Sequence, residues 1–341
     1  MLAMQPVLQV GKTQYTPQAF VSESFNASWL KDLQEVVAFW LSAQNVLLVQ
    51  TSGSTGVPKA IALSRSVLLH SAKSTLAFLG LDGGSALHFL PAKYIGGKMM
   101  LLRALVANMH IELVEPHAAL PELTREYDLV ALTPMQAAKS INQLQHFRHI
   151  ILGGGAVSVQ LIAALQQLPG KVYNSYGMTE TASHVALKIL NGPDKSDFFV
   201  AMDGVTFSCD NRGCLVIHAP AWQAPELVTN DVVKLISTTQ FKWLGRFDNV
   251  INSGGVKISP EELEHKLARQ LNVPFFIGAL PDEILGEKVV LVIASKDEIA
   301  LDFNVLPKLY RPKETYYLPE FIYTETHKIN RKATLSLLLA G

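Results

Sequence analysis

Hydroxyl groups, glycines and one lysine are concentrated in a short segment, TSGSTGVPK, which lies between two apolar runs. Glycines let backbone N–H groups approach an anion closely, hydroxyl groups add hydrogen-bond donors, and a lysine adds positive charge. This combination suits a polyphosphate. The residues that would contribute are Thr51, Ser52, Gly53, Ser54, Thr55, Gly56 and Lys59.

The spacing of this segment differs from that of the Walker loop. In the Walker pattern G-x-x-x-x-G-K-[ST], a glycine precedes the lysine and a hydroxyl residue follows it. Here Pro58 precedes Lys59 and Ala60 follows it. A solvated serine- and glycine-rich loop is the alternative interpretation of such a composition. The complete string is more specific, and we predict a phosphate-binding loop of a different type.

The elements around this loop alternate between strand-like and helix-like segments. A helix with apolar residues at helical spacing is predicted from Ser28 to Leu41, with Ser28 as a cap. The alternation that follows is typical of a mostly parallel sheet covered by helices, so we predict an α/β domain. The predicted strands are 46–49, 87–90, 111–114, 129–132, 149–152 and 172–174, and the predicted helices are 67–79, 99–106 and 134–144.

The pattern changes after about Leu190, where short strands come with turn residues and without helices between them. These strands predict an antiparallel β subdomain over about 191–247, which would complete a large N-terminal domain over residues 1–247. The predicted strands are 204–208, 214–218, 232–237 and 241–244.

A second change begins near Asp248. Ser259, Pro260 and Glu262 give the start of a helix with a capping box. The strand-like segments PFFIGAL, KVVLVIAS and EFIYTE follow, with a helical candidate between the last two. We therefore predict a small α+β C-terminal domain of about 90 residues, over 248–341.

Charge and composition argue against several classes of partner and site. The 29 basic and 29 acidic side chains balance, so no electrostatic attraction to nucleic acid or a membrane surface is predicted. The N-terminal residues do not form a signal peptide and no apolar run of about 18 residues occurs, so we predict a cytoplasmic protein. Cys209 and Cys214 could bridge a hairpin, but two buried free thiols are the favoured interpretation, and their spacing does not suit zinc.

Four segments, in order along the chain, resemble motifs of the adenylate-forming enzymes, which include acyl-CoA synthetases, luciferases and peptide-synthetase adenylation domains. TSGSTGVPK is similar to their phosphate loop and NSYGMTETAS to their Y-G-x-T-E motif. GRFDNVINSGGVKISPEELE resembles their hinge motif, and HKINRKA resembles the G-K-[IL]-x-R motif that carries the catalytic lysine. The resemblance implies a carboxylate that attacks the α-phosphate of ATP, release of pyrophosphate and formation of an acyl-adenylate. In the CoA ligases of the family, a thiol then displaces AMP.

The resemblance also assigns nucleotide-binding roles. The phosphate loop would hold the β- and γ-phosphates, Glu180 would associate with Mg²⁺, and Tyr176 would stack on adenine. Asp231, in LVTND, would hold the ribose hydroxyls, although Asn230 stands where the family has glycine. The alternative for Glu180 and for a further candidate, Arg246, is an ordinary charged surface residue. The remaining assignments are Thr179 and Arg246 at phosphate or ribose, and Gly154, Gly155, Ala156 and Gly177 around the nucleotide.

In this family the C-terminal domain rotates between the two half-reactions. Asp248 falls on the hinge position, and Lys328 would be delivered to the α-phosphate and the substrate carboxylate. His327 stands where the family has glycine, and Lys332 is the competing candidate for the catalytic lysine. Gly254 and Gly255 would line the path of the CoA pantetheine.

The segment SYGMTETASHV is most similar to the o-succinylbenzoate–CoA ligases of menaquinone biosynthesis. Family members carry a longer segment before the phosphate loop, so part of their N-terminal domain is expected to be absent here. The second carboxylate of o-succinylbenzoate needs a partner, and a lysine beside the Gly-Gly loop could supply it. The acid-site candidates are Lys93, Lys98, Tyr94, Ser175 and Ser183, with surface lysines as the alternative for the first two and a structural role expected for His184.

Three other functions stay open on the sequence. The protein could act on a different aryl or acyl acid with CoA. It could be a stand-alone adenylation domain that loads a carrier protein. As a non-enzyme, it could be a pseudoenzyme that binds nucleotide.

Overall fold

The computed structural model describes residues 5–50, 60–222, 224–323 and 329–339. The predicted phosphate loop and Lys328 lie outside the described residues. The chain divides into two compact units, each treated by itself. The first consists of Met1–Phe207, Ile217–Leu227 and Ser237–Gln240, and the second of Ser208–Val216, Val228–Ile236 and Phe241–Gly341.

The first unit alternates strands and helices, as its sequence predicts. Its strands are β1 (Val7–Val10), β2 (Thr13–Tyr15), β3 (Val46–Gln50), β4 (Ala60–Ser64), β5 (Ser85–His88), β6 (His110–Leu113), β7 (Tyr127–Leu132), β8 (Phe147–Leu152), β9 (Lys171–Gly177), β10 (His184–Ile189) and β11 (Phe199–Ala201). Its helices are α1 (Pro17–Ser22), α2 (Ser28–Leu41), α3 (Arg65–Leu79), α4 (Ile95–Val106), α5 (Pro134–Lys139) and α6 (Val159–Leu165).

Most of these strands form one sheet in the order β11-β10-β9-β8-β7-β5-β6-β1-β2. The run from β9 to β1 is parallel throughout, while β10 and β2 add to it in antiparallel fashion. β3 and β4 pair separately as an antiparallel hairpin. Parallel strands are typically buried on both faces, and β5, β7 and β8 consist mainly of buried residues.

One helix of the first unit is buried almost all round. From Gly97 to Leu105 every residue of α4 is buried, because the helix contacts α2 and α3 as well as strands β5 and β7. A helix in that position is expected to be apolar on all sides. Lys98 and Arg103 are the charged exceptions in this buried stretch.

The division between the units passes through the strands that follow β11. These strands are β12 (Thr206–Cys209), β13 (Cys214–Ala219), β14 (Ala224–Ser237) and β15 (Gln240–Arg246). They are neighbours in that order. The predicted domain boundary at residues 247 and 248 stays a prediction. It marks where the C-terminal domain would rotate, whereas the two units are defined by how compactly their residues pack.

The rest of the second unit is a small sheet with a helix on each face. Its elements are β16 (Ile251–Ser253), β17 (Val256–Ile258), α7 (Pro260–Leu267), β18 (Phe275–Asp282), β19 (Gly286–Ala294), β20 (Glu314–Leu318) and α8 (Arg331–Leu339). The strands run in the order β17-β16-β19-β18, and β20 pairs with β19. Alternate residues of β19 face opposite sides of this sheet. Leu291 packs in a hydrophobic cluster with Leu263 and Leu267 of α7. Val290 packs in a second cluster, against which Leu335 of α8 packs.

The predicted fold class, a large α/β unit with a small α+β unit, is confirmed. Four local predictions are wrong. The third strand of the C-terminal sheet is Glu314–Leu318 rather than EFIYTE, and Cys209 is an exposed free thiol, whereas Cys214 is buried and free as predicted. Ser28 begins α2 without capping it. Ser259 makes no side-chain cap to α7, because its hydroxyl donates to the Leu244 carbonyl at 3.0 Å instead.

Candidate active site

The site residues predicted in the first unit lie at one edge of the parallel sheet. Parallel strands place their carboxyl ends at the same edge, and ligands of α/β sheets bind outside that edge. Gly154–Ala156 follow β8, and Tyr176 and Gly177 end β9. Lys93 and Tyr94 stand in the connection from β5 to α4. The structure therefore brings these residues of the first unit to a common edge.

The turn after β8 is fixed against the end of β9. Ser175 donates a hydrogen bond from its hydroxyl to the Leu152 carbonyl at 2.9 Å. A Cβ at Gly153 would lie 2.6 Å from that hydroxyl, so a larger residue there would displace the hydroxyl and break its hydrogen bond. Gly154 has φ of +81°, which favours glycine. Gly154, Gly155 and Ala156 are exposed and present backbone to solvent, as a nucleotide-facing turn would.

The end of β9 makes a second close contact. A Cβ on Gly177 would lie 2.2 Å from the Ser183 carbonyl oxygen and 2.4 Å from the His184 Cα, so only glycine fits without a shift of backbone. Tyr176, half-buried just before it, lies against Phe199 with ring centroids 5.7 Å apart. Stacking of Tyr176 on adenine stays a prediction.

The turn from Thr179 to Thr181 presents an exposed carboxylate. Glu180 is in its centre and exposed, while Thr181 is buried and its hydroxyl contacts backbone atoms of Met178 and Ser183. Ala182 ends the turn with φ of +59°, an unusual conformation for a residue with a Cβ. Such strained positions are frequent at functional sites. The geometry leaves Glu180 available to a ligand from outside.

A buried polar network lies next to this turn. The Arg103 guanidinium, 2% exposed, donates from Nε to the Thr75 hydroxyl at 3.1 Å and from Nη2 to the Ser183 hydroxyl. The Thr75 hydroxyl also lies 2.9 Å from His184 Nε2. Burial lowers the pKa of Arg103 to about 9, and burial with the nearby guanidinium lowers the pKa of His184 well below 6.5. His184 thus has the structural role expected of it.

Arg103 has no carboxylate partner among the residues that the structure describes. A buried cation that is bonded only to hydroxyl groups is energetically unfavourable until an anion reaches it. Sequence reasoning missed Arg103. The available signal was a single arginine within the apolar run MMLLRALV, a position that packing alone would fill with another apolar residue.

The two lysines predicted for the acid site differ in environment. Lys98 is buried, and burial lowers its pKa, opposed by the carboxylates of Glu35 and Asp32 on α2. Lys93 is exposed, with its Nζ 5.9 Å from the centre of the Tyr94 ring. Lys98 therefore already has counter-charges within the chain, which Arg103 lacks in the part described.

The candidates in the second unit form another polar cluster. Trp243 Nε1 donates to Asp231 Oδ1 at 3.1 Å, and Arg246 Nη1 lies 3.6 Å from the same oxygen. Arg246 Nη2 also contacts Asp248 Oδ2 at 2.9 Å. Asn230, which replaces the family glycine, donates weakly to Asp248 at 3.3 Å. The structure brings together the predicted ribose aspartate, the predicted hinge aspartate and Arg246.

Gly254 and Gly255 form the turn between β16 and β17. Both have positive φ, +59° and +81°, and both are exposed. The backbone conformation alone therefore favours glycine at both positions, independently of any ligand. Their role in a CoA path stays a prediction.

Two kinds of feature are absent from the part of the chain that the structure describes. No group of three or more His, Cys, Asp or Glu side chains that could hold a metal ion occurs within the described residues. Among the same residues, no helix is long and apolar enough to cross a membrane.

Comparison with known proteins gives the family context. A family model described as AMP-binding enzyme matches residues 5–198. The chain is 28% identical to a 2-succinylbenzoate–CoA ligase of Haemophilus influenzae, over 89% of this chain and 74% of that one. It is 34% identical to a solved acyl-CoA synthetase (AMP-forming)/AMP-acid ligase II-like protein from Dyadobacter fermentans, with a TM-score of 0.63, covering 94% of this chain and 98% of that one.

A third similarity concerns the fold alone. The o-succinylbenzoate coenzyme A synthetase of Bacillus subtilis, solved in complex with ATP and a magnesium ion, is 20% identical with a TM-score of 0.70. The match covers 84% of this chain and 69% of that one.

Proposed function

This chain belongs to the AMP-binding enzyme family, and from that premise we propose that it is an AMP-forming acid–CoA ligase acting on o-succinylbenzoate. The predicted superfamily is confirmed. The proposed activity uses ATP, Mg²⁺ and CoA, and its product would serve menaquinone biosynthesis. It is supported by the names of the relatives and by the buried Arg103 cation, which contacts the acid-site candidate Ser183.

The reaction has two steps that balance without a redox partner. A carboxylate oxygen of the acid attacks the α-phosphorus of ATP, and the bond to pyrophosphate breaks. The sulfur of CoA then attacks the acyl carbon, AMP leaves, and the thiol proton passes to solvent. Both steps build negative charge on phosphoryl or carbonyl oxygens, so positioned donors and cations dominate catalysis.

The described residues fit this chemistry at several points. Glu180 offers the exposed oxygen ligand that a phosphate-bound Mg²⁺ needs. Magnesium would neutralise phosphate charge when bound. Tyr176 and the turn Gly154–Ala156 would hold adenine, Thr179 would contact the α-phosphate, and Asp231 with Arg246 would hold the ribose.

The main support for a dicarboxylic acid as the substrate is the guanidinium of Arg103. It is buried, it is protonated at neutral pH because its pKa is about 9, and within the described chain it meets hydroxyl groups only. A dicarboxylic acid would use one carboxylate for adenylation and bring the other to Arg103, where a bidentate charge-assisted contact forms. Ser183, predicted as an acid-site residue, already contacts Arg103.

The test is mass-spectrometric detection of a thioester from the full chain with ATP, Mg²⁺, CoA and o-succinylbenzoate, beside benzoate and a fatty acid. A thioester from o-succinylbenzoate supports the proposal. Turnover of another acid alone would contradict the substrate, and turnover only with a carrier protein would contradict the thiol acceptor. Absence of pyrophosphate exchange with every acid would contradict enzymatic function.

Variants at two cations of the same helix sharpen the test. Arg103→Met is expected to lower kcat/KM for o-succinylbenzoate by roughly 100-fold, with a much smaller effect on benzoate. The matched control is Lys98→Met, which also removes a buried cation from α4 but one that has counter-charges on α2. A selective loss in the lysine variant instead would transfer the role to Lys98, one of the two lysines that the sequence offers as candidates.

A further inference from the structure

We infer that Trp243 is a positioning residue that orients the carboxylate of Asp231 toward the ribose of ATP. The inference rests on the proposed function, in which Asp231 holds the ribose hydroxyls. Nothing in the sequence motifs singles out this tryptophan.

The direction of the contact is unambiguous. An indole Nε1–H is a donor only, so it donates to Asp231 Oδ1 across the 3.1 Å that separates them. Asp231 and Trp243 lie on neighbouring strands, β14 and β15, joined by a short turn. The two side chains therefore stay in register with each other whenever this hairpin is intact.

The carboxylate that receives the bond is nearly buried. The side chain of Asp231 is 10% exposed, so its oxygens need donors within the protein or on a ligand. The Arg246 guanidinium is 43% exposed and lies 3.6 Å from the same oxygen, Oδ1. Of these two donors, the indole of Trp243 makes the shorter contact with Oδ1.

Fixing one carboxylate oxygen fixes the other. A carboxylate turns about a single soft torsion, and this torsion is broad unless a partner restrains it. With Oδ1 held by Trp243, the direction of Oδ2 is set by the hairpin. The backbone is restrained at the same residue, since Asp231 N donates to the Thr229 hydroxyl at 3.1 Å.

The test compares binding of Mg²⁺·ATP and Mg²⁺·2′,3′-dideoxy-ATP to the full chain by calorimetry, without acid or CoA. The wild type is expected to favour ATP, and Trp243→Phe, which keeps an aromatic ring but loses the Nε1–H donor, is expected to reduce this preference about tenfold. Asp231→Asn should abolish the preference, and combining it with Trp243→Phe should add nothing more. A wild-type preference retained in Trp243→Phe would overturn the inference.

A second tryptophan provides the control. Trp222 is fully buried, and its Nε1 has no hydrogen-bond partner among the described residues. Trp222→Phe is expected to lower Tm while leaving the ribose preference unchanged. If it changes the preference as much as Trp243→Phe does, the effect is structural and the inference fails.

Two further outcomes keep the test decisive. If Trp243→Phe folds poorly, Trp243→His supplies a ring donor, and the inference requires it to keep more of the preference than Trp243→Phe keeps. A wild type without ribose preference overturns the inference, because then no ribose contact exists to be oriented. That result leaves the thioester assay untouched, so failure here and failure of the proposed function are separate observations.

Discussion

Arg331 and Glu264 are joined by two contacts in the second unit: Arg331 Nη1 lies 2.7 Å from Oε1, and Nη2 donates to Oε2 at 2.8 Å. The backbone N–H of Ile277 donates to the same carboxylate, and the Ile277 carbonyl accepts from Arg331. The first residue of α8 is thus tied to α7 and β18 together. Lys328, the predicted catalytic lysine, comes shortly before Arg331 in the sequence.

This pair predicts a stability effect. Arg331→Met leaves the partly buried Glu264 carboxylate without its cation, and we expect a loss of about 2 kcal/mol in the free energy of unfolding, measured with urea. Arg269→Met is the control, because Arg269 is exposed just beyond α7. Equal losses in both variants would contradict a specific role for the pair.

The buried His88 predicts a pH dependence of stability. Burial lowers its pKa from 6.5 to about 4, and its Nε2 donates to the Gly97 carbonyl at 3.0 Å. Between these pH values the unfolded chain binds a proton that the folded chain does not, so the free energy of unfolding falls as the pH falls. The contribution is about 3 kcal/mol.

Urea unfolding at pH 7 and pH 5 checks this prediction. In His88→Gln, which can still donate to Gly97, the decrease between the two pH values should be smaller than in the wild type. His184 adds a decrease in the same direction, because its pKa is also lowered. A decrease that His88→Gln leaves unchanged would count against His88 as a source.

Gly177 predicts a steric effect at the candidate site. Gly177→Ala places a Cβ against the backbone of Ser183 and His184, so β9 and β10 must separate locally. We expect a loss of about 1–3 kcal/mol in the free energy of unfolding, together with weaker ATP binding.

Gly192→Ala is the matched control for Gly177→Ala. Gly192 has positive φ, but no heavy atom lies within 4 Å of the place that a Cβ would occupy, so only backbone strain applies. Its ATP binding should equal that of the wild type. Weakened ATP binding in both variants would point to a general loss of folding rather than to the β9 end.

Ser183 predicts an effect on substrate choice. Ser183→Ala removes one hydroxyl that Arg103 contacts, so kcat/KM for o-succinylbenzoate should fall about tenfold while that for benzoate changes little. Ser183→Thr keeps a hydroxyl and should recover most of the activity. Equal losses for both acids would place Ser183 in general catalysis instead.

Regular elements were predictable because their periodicity is local. Strands β5 to β9 and helices α3 and α4 lie within a few residues of the predicted segments, since each pattern lies within one segment. β1, which extends the parallel run at β6, was not predicted. The carboxyl-edge placement of Tyr176 and Gly154 follows from the same parallel topology. Residues 51–59 and Lys328 lie outside the described residues, so their roles stay predictions.

Contacts between distant segments were not predictable. Ser259 suited a helix cap by its type, but the Leu244 carbonyl was a competing partner that no local pattern reveals. Arg103 meets Ser183 across 80 positions of sequence, a contact that only the packing of α4 creates. Side-chain contacts that depend on such packing can be predicted only once the fold is known.

The β14–β15 hairpin has a consequence for the evolution of this chain. One continuous stretch, residues 229–248, contains Asp231, Trp243, Arg246 and Asp248. The contacts that these four residues make with one another therefore all lie within this stretch. A single recombination event could exchange that stretch between related genes and keep these contacts intact. A chimera that receives 229–248 from a relative should inherit the donor's sugar preference while keeping its own acid.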